Sequence, residues 1–272
     1  MTGLTPQRFR NLVWRHYELH GRHDLPWRKT DDPYRVLVSE VMLQQTQVER
    51  VVPYYRDFLR QFPTLKKLAA APLSAILKAW QGLGYNRRAK LLHAAAKEVV
   101  RTYKGKMPRD AETLRTLPGI GPYTARAVAA FADNADGIFI ETNIRTVITH
   151  HFFQRKGIVS DGEVLAVLER VHPKGRAREW YAALMDYGSY LKRSGVRINA
   201  RAKGYTKQAA FKGSNREARG AILKALLSGP KTKAKLAPLL GREREAQLLQ
   251  ALAALVEEGL VERAGTRFSV AS

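Results

Sequence analysis

Two short stretches carry residue types suited to chemistry. Residues 138 to 143 read "IFIETN": the apolar run Ile138-Phe139-Ile140 ends on Glu141, followed by Thr142 and Asn143 and then by a further apolar set, Ile144, Val147 and Ile148. An acid so placed is expected at the mouth of a core, partly desolvated. Taken alone, the stretch is more simply a helix N-terminus, where the acid favours the macrodipole and Thr142 or Asn143 provides the cap. The second stretch is "LPGIGPYTARAV". Gly119 and Gly121 permit a tight hairpin and close backbone approach, and Pro122 suits the first position of the following helix because its missing N–H costs nothing there. The exposed amides of Gly-Ile-Gly would form a nest for a phosphate oxygen. The alternative is an ordinary helix corner punctuated by glycine. A further acid, Glu40 in "SEVMLQQTQ", would by itself be a solvated helix glutamate.

Charge points the same way as the phosphate nest. The 272 residues include 47 Lys plus Arg against 24 Asp plus Glu, a formal net charge of +23 and a pI near 10.4. An anionic polymer or surface is the expected partner, nucleic acid before an acidic membrane. No stretch approaches the ~20 apolar residues of a membrane span, and "MTGLTPQRFRNLVWRHYELHG" lacks the apolar core of a signal peptide. A cytoplasmic location is expected, nucleoid-associated in a prokaryote, with no membrane partner. Cysteine is absent, which excludes disulfides, thiolate-held zinc, a cysteine nucleophile and a thiolate-ligated iron–sulfur cluster.

The elements that must position these residues are helices. "YRVLVSEVMLQQTQVERVVPYYRDFLRQF", "LSAILKAW", "RAKLLHAAAKEVVRTY" and "YTARAVAAFA" all show three-and-four spacing, separated by "FPT", "APLS", "GLGY", "KMPRD" and "LPGIGP". From Leu191 to Arg219 basic residues dominate, which reads as a connector over 191–213. A second folding unit is expected over 214–272, opening on the capping-box spacing of Ser214 and Glu217. It continues through "TKAKLAPLLG" and "REREAQLLQALAALVEEG" to a hairpin in "LVERAGTRFSV". Such a winged-helix-like unit would dock on DNA or serve protein contacts.

In order along residues 5–190, "DLPWRKTDDPYRVLVSEVMLQQTQVERVVPYYRDFLRQFPTL", "GLGYNRRAKLL", "LPGIGPYTARAV", "IETNIRTV" and "MDYGSY" resemble the helix-hairpin-helix (HhH-GPD) DNA glycosylase superfamily, and most resemble its MutY-type adenine-DNA glycosylases. The resemblance implies a mainly α chain: a two-lobed helical glycosylase fold over 1–190 that flips a base out of double-stranded DNA, followed by the small winged-helix-like domain. It implies that Glu40 protonates the departing adenine, a task that calls for a carboxyl with a raised pKa. The second carboxylate, which stabilises positive charge on the deoxyribose, falls on Glu141, with Asn143 in a support position. Gln44, Gln45, Thr46, Leu83 and Tyr85 match residues that enter the DNA stack or contact the base opposite the target. Where endonuclease III-like relatives carry a nucleophilic lysine this chain has Tyr123, so no Schiff base is expected there and the enzyme would leave the strand uncut. A monomer is expected, and the hairpin is a candidate seat for a monovalent cation.

Three departures from the family pattern stand out. The four-cysteine iron–sulfur loop expected after "MDYGSY" is replaced by the basic segment, whose Arg197, Arg201 and Lys203 are expected to hold DNA phosphates instead. The winged helix stands where MutY enzymes carry the Nudix-like domain that helps recognise 8-oxoguanine. Glu141 is one methylene longer than the family's aspartate; Asp133 and Asp136 are nearby alternatives, but both lie in the polar "ADNADG". The resemblance implies adenine mispaired with 8-oxoguanine or guanine as the target. Thymine, uracil or another modified base is the alternative, and a non-catalytic protein that binds damaged DNA is the reading from a different class.

Overall fold

The structure is a computed structural model that describes residues 4–198 and 210–271; Arg201 and Lys203 lie outside the described residues. Helices dominate. In chain order they begin with α1 (Pro6–His20), α2 (Pro33–Leu43), α3 (Val48–Gln61), α4 (Leu65–Ala70), α5 (Leu73–Ala79), α6 (Arg87–Tyr103) and α7 (Ala111–Arg115). They continue with α8 (Pro122–Asp133), α9 (Thr142–Phe152), α10 (Asp161–Val171), α11 (Ala177–Arg193) and α12 (Asn215–Leu226). The strand β1 (Lys231–Thr232), α13 (Lys233–Leu236), α14 (Glu245–Glu257), β2 (Val261–Ala264) and β3 (Arg267–Val270) complete the chain. No helix among the described residues is long and apolar enough to cross a membrane.

Contacts gather the described residues into two compact units that do not follow chain order: residues 4–40, 108–116 and 120–198 form one, and residues 41–107, 117–119 and 210–271 the other. The C-terminal segment thus shares a unit with α3 to α6, where a division by sequence position sets 214–272 apart.

In the first unit α11 packs on α1, α8 and α9. Phe9 and Val13 of α1, Ile144 and Ile148 of α9, and Trp180 and Leu184 of α11 are fully buried, each pair four residues apart on one helix face. Each such side chain contributes roughly 1.5–3 kcal/mol by leaving water. Local signals start the helices: Thr5 accepts from the Arg8 amide, Pro122 opens α8, and Ser160 with Glu163 forms a reciprocal capping box. The loop before α2 is tied down by Asp186 of α11, whose carboxylate accepts from the Arg22 amide at 2.8 Å and from the Arg28 guanidinium at 2.6 and 2.8 Å. Burial alone would raise that carboxyl, but hydrogen bonds and charge from Arg28 and Arg22 hold it below its ordinary value.

In the second unit α6 packs against α4 and α5, with Phe58 and Trp80 edge to face at 5.9 Å in the core. The C-terminal segment has the helices and hairpin read from its sequence, plus β1, which is too short to read by periodicity; the sheet order is β1-β3-β2, all antiparallel. Phe268 of β3 lies opposite Lys231 on one side and Arg263 on the other. The unbroken helical spacing of "TKAKLAPLLG" ends early, at Leu236, because Pro238 turns the chain into a short 3-10 segment.

Two further sequence expectations are corrected. The periodic stretch from Tyr34 to Phe62 is two helices, not one, with a break over Gln44–Gln47 and Gln45 in the left-handed region at φ 55°. Apolar spacing survives across that break, so periodicity alone could not reveal it. The connector also begins later than Leu191. Helix α11 runs to Arg193, burying Leu191 and half-burying Lys192.

Candidate active site

The apolar run Ile138–Ile140 lies outside regular secondary structure, and Phe139 anchors it by stacking on Tyr181 with ring centroids 3.8 Å apart. It delivers Glu141 to the N-cap of α9. There Oε1 accepts the amides of Asn143 and Ile144 at 2.6 and 2.9 Å. Glu141 is itself the cap, not Thr142 or Asn143, because its extended backbone (φ −128°, ψ 176°) folds the longer side chain back over the helix end. The other oxygen, Oε2, accepts from the Thr142 hydroxyl at 3.1 Å and from the Asn143 amide group at 3.3 Å. Asn143 in turn accepts at Oδ1 from the Lys192 ammonium at 2.7 Å. The cap and the desolvated acid are thus one residue.

Glu40 lies on α2 and is 5 % exposed. Its Oε2 accepts a hydrogen bond from the Tyr123 hydroxyl at 2.9 Å. Burial raises the Glu40 carboxyl to about 7; the Tyr123 bond opposes the shift, and the negative charge of Glu141 adds to it. Burial raises Glu141 as well, opposed by Lys192, by the two capping amides and by Thr142. The Tyr123 hydroxyl is pushed far up by burial and by both carboxylates, so it stays a donor. One unit therefore holds two carboxyls, Glu40 feeling the charge of Glu141, one bonded by a neutral hydroxyl and one by amides with a cation beyond. Asp133 and Asp136 are engaged elsewhere: Asp133 pairs with Arg109, and Asp136 accepts from the Gly175 amide and contacts His172.

Close approach of α11 to α9 makes this arrangement possible. A Cβ on Gly188 would lie 2.3 Å from the Asn143 carbonyl oxygen and 2.7 Å from its Cβ. Gly188→Ala should therefore push the helices apart and destabilise the protein by about 1–3 kcal/mol. Base release should fall because Asn143 is displaced. Urea midpoints and single-turnover rates measured together check this; an alanine variant with parental values in both would dismiss it.

Among the described residues, the remaining expected ones fall on the second unit, except Gly121 and Arg197. Gln44, Gln45 and Thr46 occupy the break between α2 and α3, and Tyr85 follows the Gly82–Gly84 turn with φ 47°. Leu83, expected to meet DNA, is 6 % exposed; what its position offers is a carbonyl. That carbonyl belongs to a set gathered by Arg88, which the sequence reading missed. Its guanidinium donates to the carbonyls of Val41, Met42 and Gln44 at 2.7, 3.1 and 2.6 Å and to those of Leu83 and Gly84 at 3.3 and 3.2 Å. Burial lowers its pKa to about 10. The only sequence signal was its place three residues after Tyr85.

At the hairpin only Gly119 needs glycine's backbone freedom, at φ 73°, and a Cβ there would meet Leu91 at 2.6 Å. Gly121 caps α8 at φ −81° with open space where a Cβ would sit. Residues 117–122 carry no side-chain oxygen. Arg197 donates to the Lys192 carbonyl at 2.9 Å. Without cysteine the chain cannot hold the family's iron–sulfur cluster.

Residues 38–184 match the family model of the HhH-GPD superfamily base excision DNA repair proteins. The chain is 38% identical to the adenine DNA glycosylase of Mycolicibacterium smegmatis, over 93% of this chain and 92% of that protein. It is 36% identical to the adenine DNA glycosylase of Mycobacterium tuberculosis, over 93% and 89%. Among solved structures a thermostable thymine-DNA glycosylase superposes with a TM-score of 0.59 at 27% identity, covering 68% of this chain and 86% of that one. The sequence match and the helical fold agree: the chain belongs to the HhH-GPD superfamily and is a DNA glycosylase of base excision repair.

Proposed function

We propose that the enzyme removes adenine opposite 8-oxoguanine or guanine in double-stranded DNA and leaves the strand intact. The observation that carries this reading is the Glu40 carboxyl, raised to about 7 and bonded at one oxygen by Tyr123. The Tyr123 proton occupies Oε2, which leaves the acidic proton on Oε1, free to pass to a ring nitrogen of the flipped base. Protonation turns the base into a neutral leaving group as the glycosidic bond breaks. Positive charge then develops on the deoxyribose, and the Glu141 carboxylate stabilises it, a division of labour also found in glycoside hydrolysis. Water then bonds to C1′ and gives up a proton to the ionised Glu40, which restores the acid. Tyr123 offers no amine for an imine, which supports base removal without strand cleavage.

The similarity to a thymine-DNA glycosylase structure and the glutamate at position 141 favour a second reading, with thymine or uracil as target. A panel of duplexes, each with one defined mismatch or lesion, scored for abasic sites before and after alkali, decides between them. Release of adenine opposite 8-oxoguanine, with breaks only after alkali, is expected. Release of thymine or uracil alone would establish the second reading, and tight binding without release a non-catalytic protein. High-yield borohydride trapping would refute the uncut-strand prediction.

A further inference from the structure

Two acids buried within reach of each other raise one another's pKa, and ionising one makes ionising the other harder. Burial does not decide which of the pair keeps the proton; their partners do. Glu40 has the neutral Tyr123 hydroxyl at 2.9 Å. Glu141 has two amides, the Thr142 hydroxyl and, through Asn143, the ammonium of Lys192. Lys192 stands at the end of α11 beyond Gly188, the residue that lets α11 approach Asn143. A lysine there could keep its charge in bulk water at little cost. Instead its side chain turns inward, where burial lowers its pKa and the charge of Glu141 opposes the shift.

We propose that Lys192 is a positioning residue for base release: through Asn143 its charge keeps Glu141 ionised and aimed while Glu40 retains its proton. This rests on Glu141 being the carboxylate that faces the sugar. The cation acts by sorting the protons of the pair and touches neither base nor sugar. Its neighbour Asn143 acts as a rigid spacer, accepting from the lysine and donating to the acid, so the charge is felt without a direct ion pair that would turn the carboxylate away from the substrate. The bland alternative is a lysine that contacts a DNA phosphate and uses Asn143 only as a convenient acceptor.

Lys192→Gln can still donate to Asn143 but carries no charge, whereas Lys192→Arg keeps the charge. Single-turnover release of adenine, at saturating enzyme from pH 5 to 9, should show the acid limb of the Gln variant displaced upward by about one pH unit or more. The Arg variant should keep the parental limb, and the salt dependence of DNA binding should stay parental in both. If Lys192→Gln does not fold, Asn143→Leu breaks the spacer with Lys192 in place and should move the limb in the same direction. Carbon-13 NMR of glutamate-labelled protein, with Glu141→Gln to assign the signal, follows the Glu141 titration without any substrate. It should show the same upward shift, and it decides the proposal even if adenine is not the target. An unmoved limb and an unmoved Glu141 titration would overturn the proposal. A salt slope flattened by about 0.9 would mark a phosphate contact instead.

Discussion

Glu40→Gln will lower single-turnover base release by about a thousandfold or more, the range expected for loss of a general acid, and will make the protein more stable at alkaline pH. Both effects come from one carboxyl. Its pKa is raised by burial to about 7 from an ordinary 4.5. Below pH 4.5 the group is neutral folded or unfolded and contributes no difference. As pH rises, the unfolded chain ionises first, so stability falls progressively until the folded state also ionises near pH 7. Above that the full penalty remains, about 3 kcal/mol at 1.36 kcal/mol per pH unit. Glutamine is never charged, and its carbonyl can still accept from Tyr123. The variant should therefore match the parent near pH 4.5 and exceed it by up to about 3 kcal/mol at pH 8. Urea unfolding at both pH values and base release at pH 7 check the two halves. A Gln variant less stable than the parent at pH 8 would mean that Glu40 is not held protonated; one that releases base at the parental rate would mean that it is not the acid. In the parent, activity should also fade as pH climbs through 7, because the acid loses its proton.

Glu141→Gln should slow base release by about 100-fold or more, the usual loss when a charge that stabilises a developing cation is removed from a dry site. Its carbonyl oxygen can still cap α9, but its amide group would then face the Asn143 amide, donor against donor. Aspartate preserves the charge and is a strong N-cap, although its carboxylate stops one methylene short. Glu141→Asp should therefore keep measurable activity and nearly parental stability. Single-turnover rates for the three proteins on one substrate, with DNA affinity measured alongside, make the comparison. A Gln variant as fast as the parent would reduce Glu141 to a helix cap.

The sequence offered the cap and the catalytic acid as rivals because one-dimensional spacing cannot show that a carboxylate has two oxygens to use. In the structure Oε1 closes the helix and Oε2 faces Thr142 and Asn143. The burial of Glu40 was legible through the motif around it, and the helical class through apolar periodicity. Lys192 was not legible: it was counted with the solvated basic segment, and only the closeness of α11 to α9 over Gly188 turns it inward. Arg88 was hidden for a similar reason. Its partners are backbone carbonyls, which leave no trace in residue types. The break after Leu43 escaped notice because the polar run "QQTQ" fits a solvated helix face as well as a turn.

Arg88 also bears on how firmly the loops carrying Gln45 and Tyr85 are held. One guanidinium grips the carbonyls of Val41, Met42 and Gln44 on one side and those of Leu83 and Gly84 on the other, and its charge lies over the Tyr85 ring at 5.5 Å. The segments carrying Gln45 and Tyr85 are both held in left-handed backbone conformations, which cost of order 1–3 kcal/mol each and persist only where the surroundings over-determine them. With Arg88 splinting them, that strain and the ordering of both loops are settled when the chain folds. If Gln45 and Tyr85 meet DNA as the family resemblance implies, they would do so preorganised, with little binding energy diverted to ordering their loops. The two loops are thus tied to each other through this one side chain.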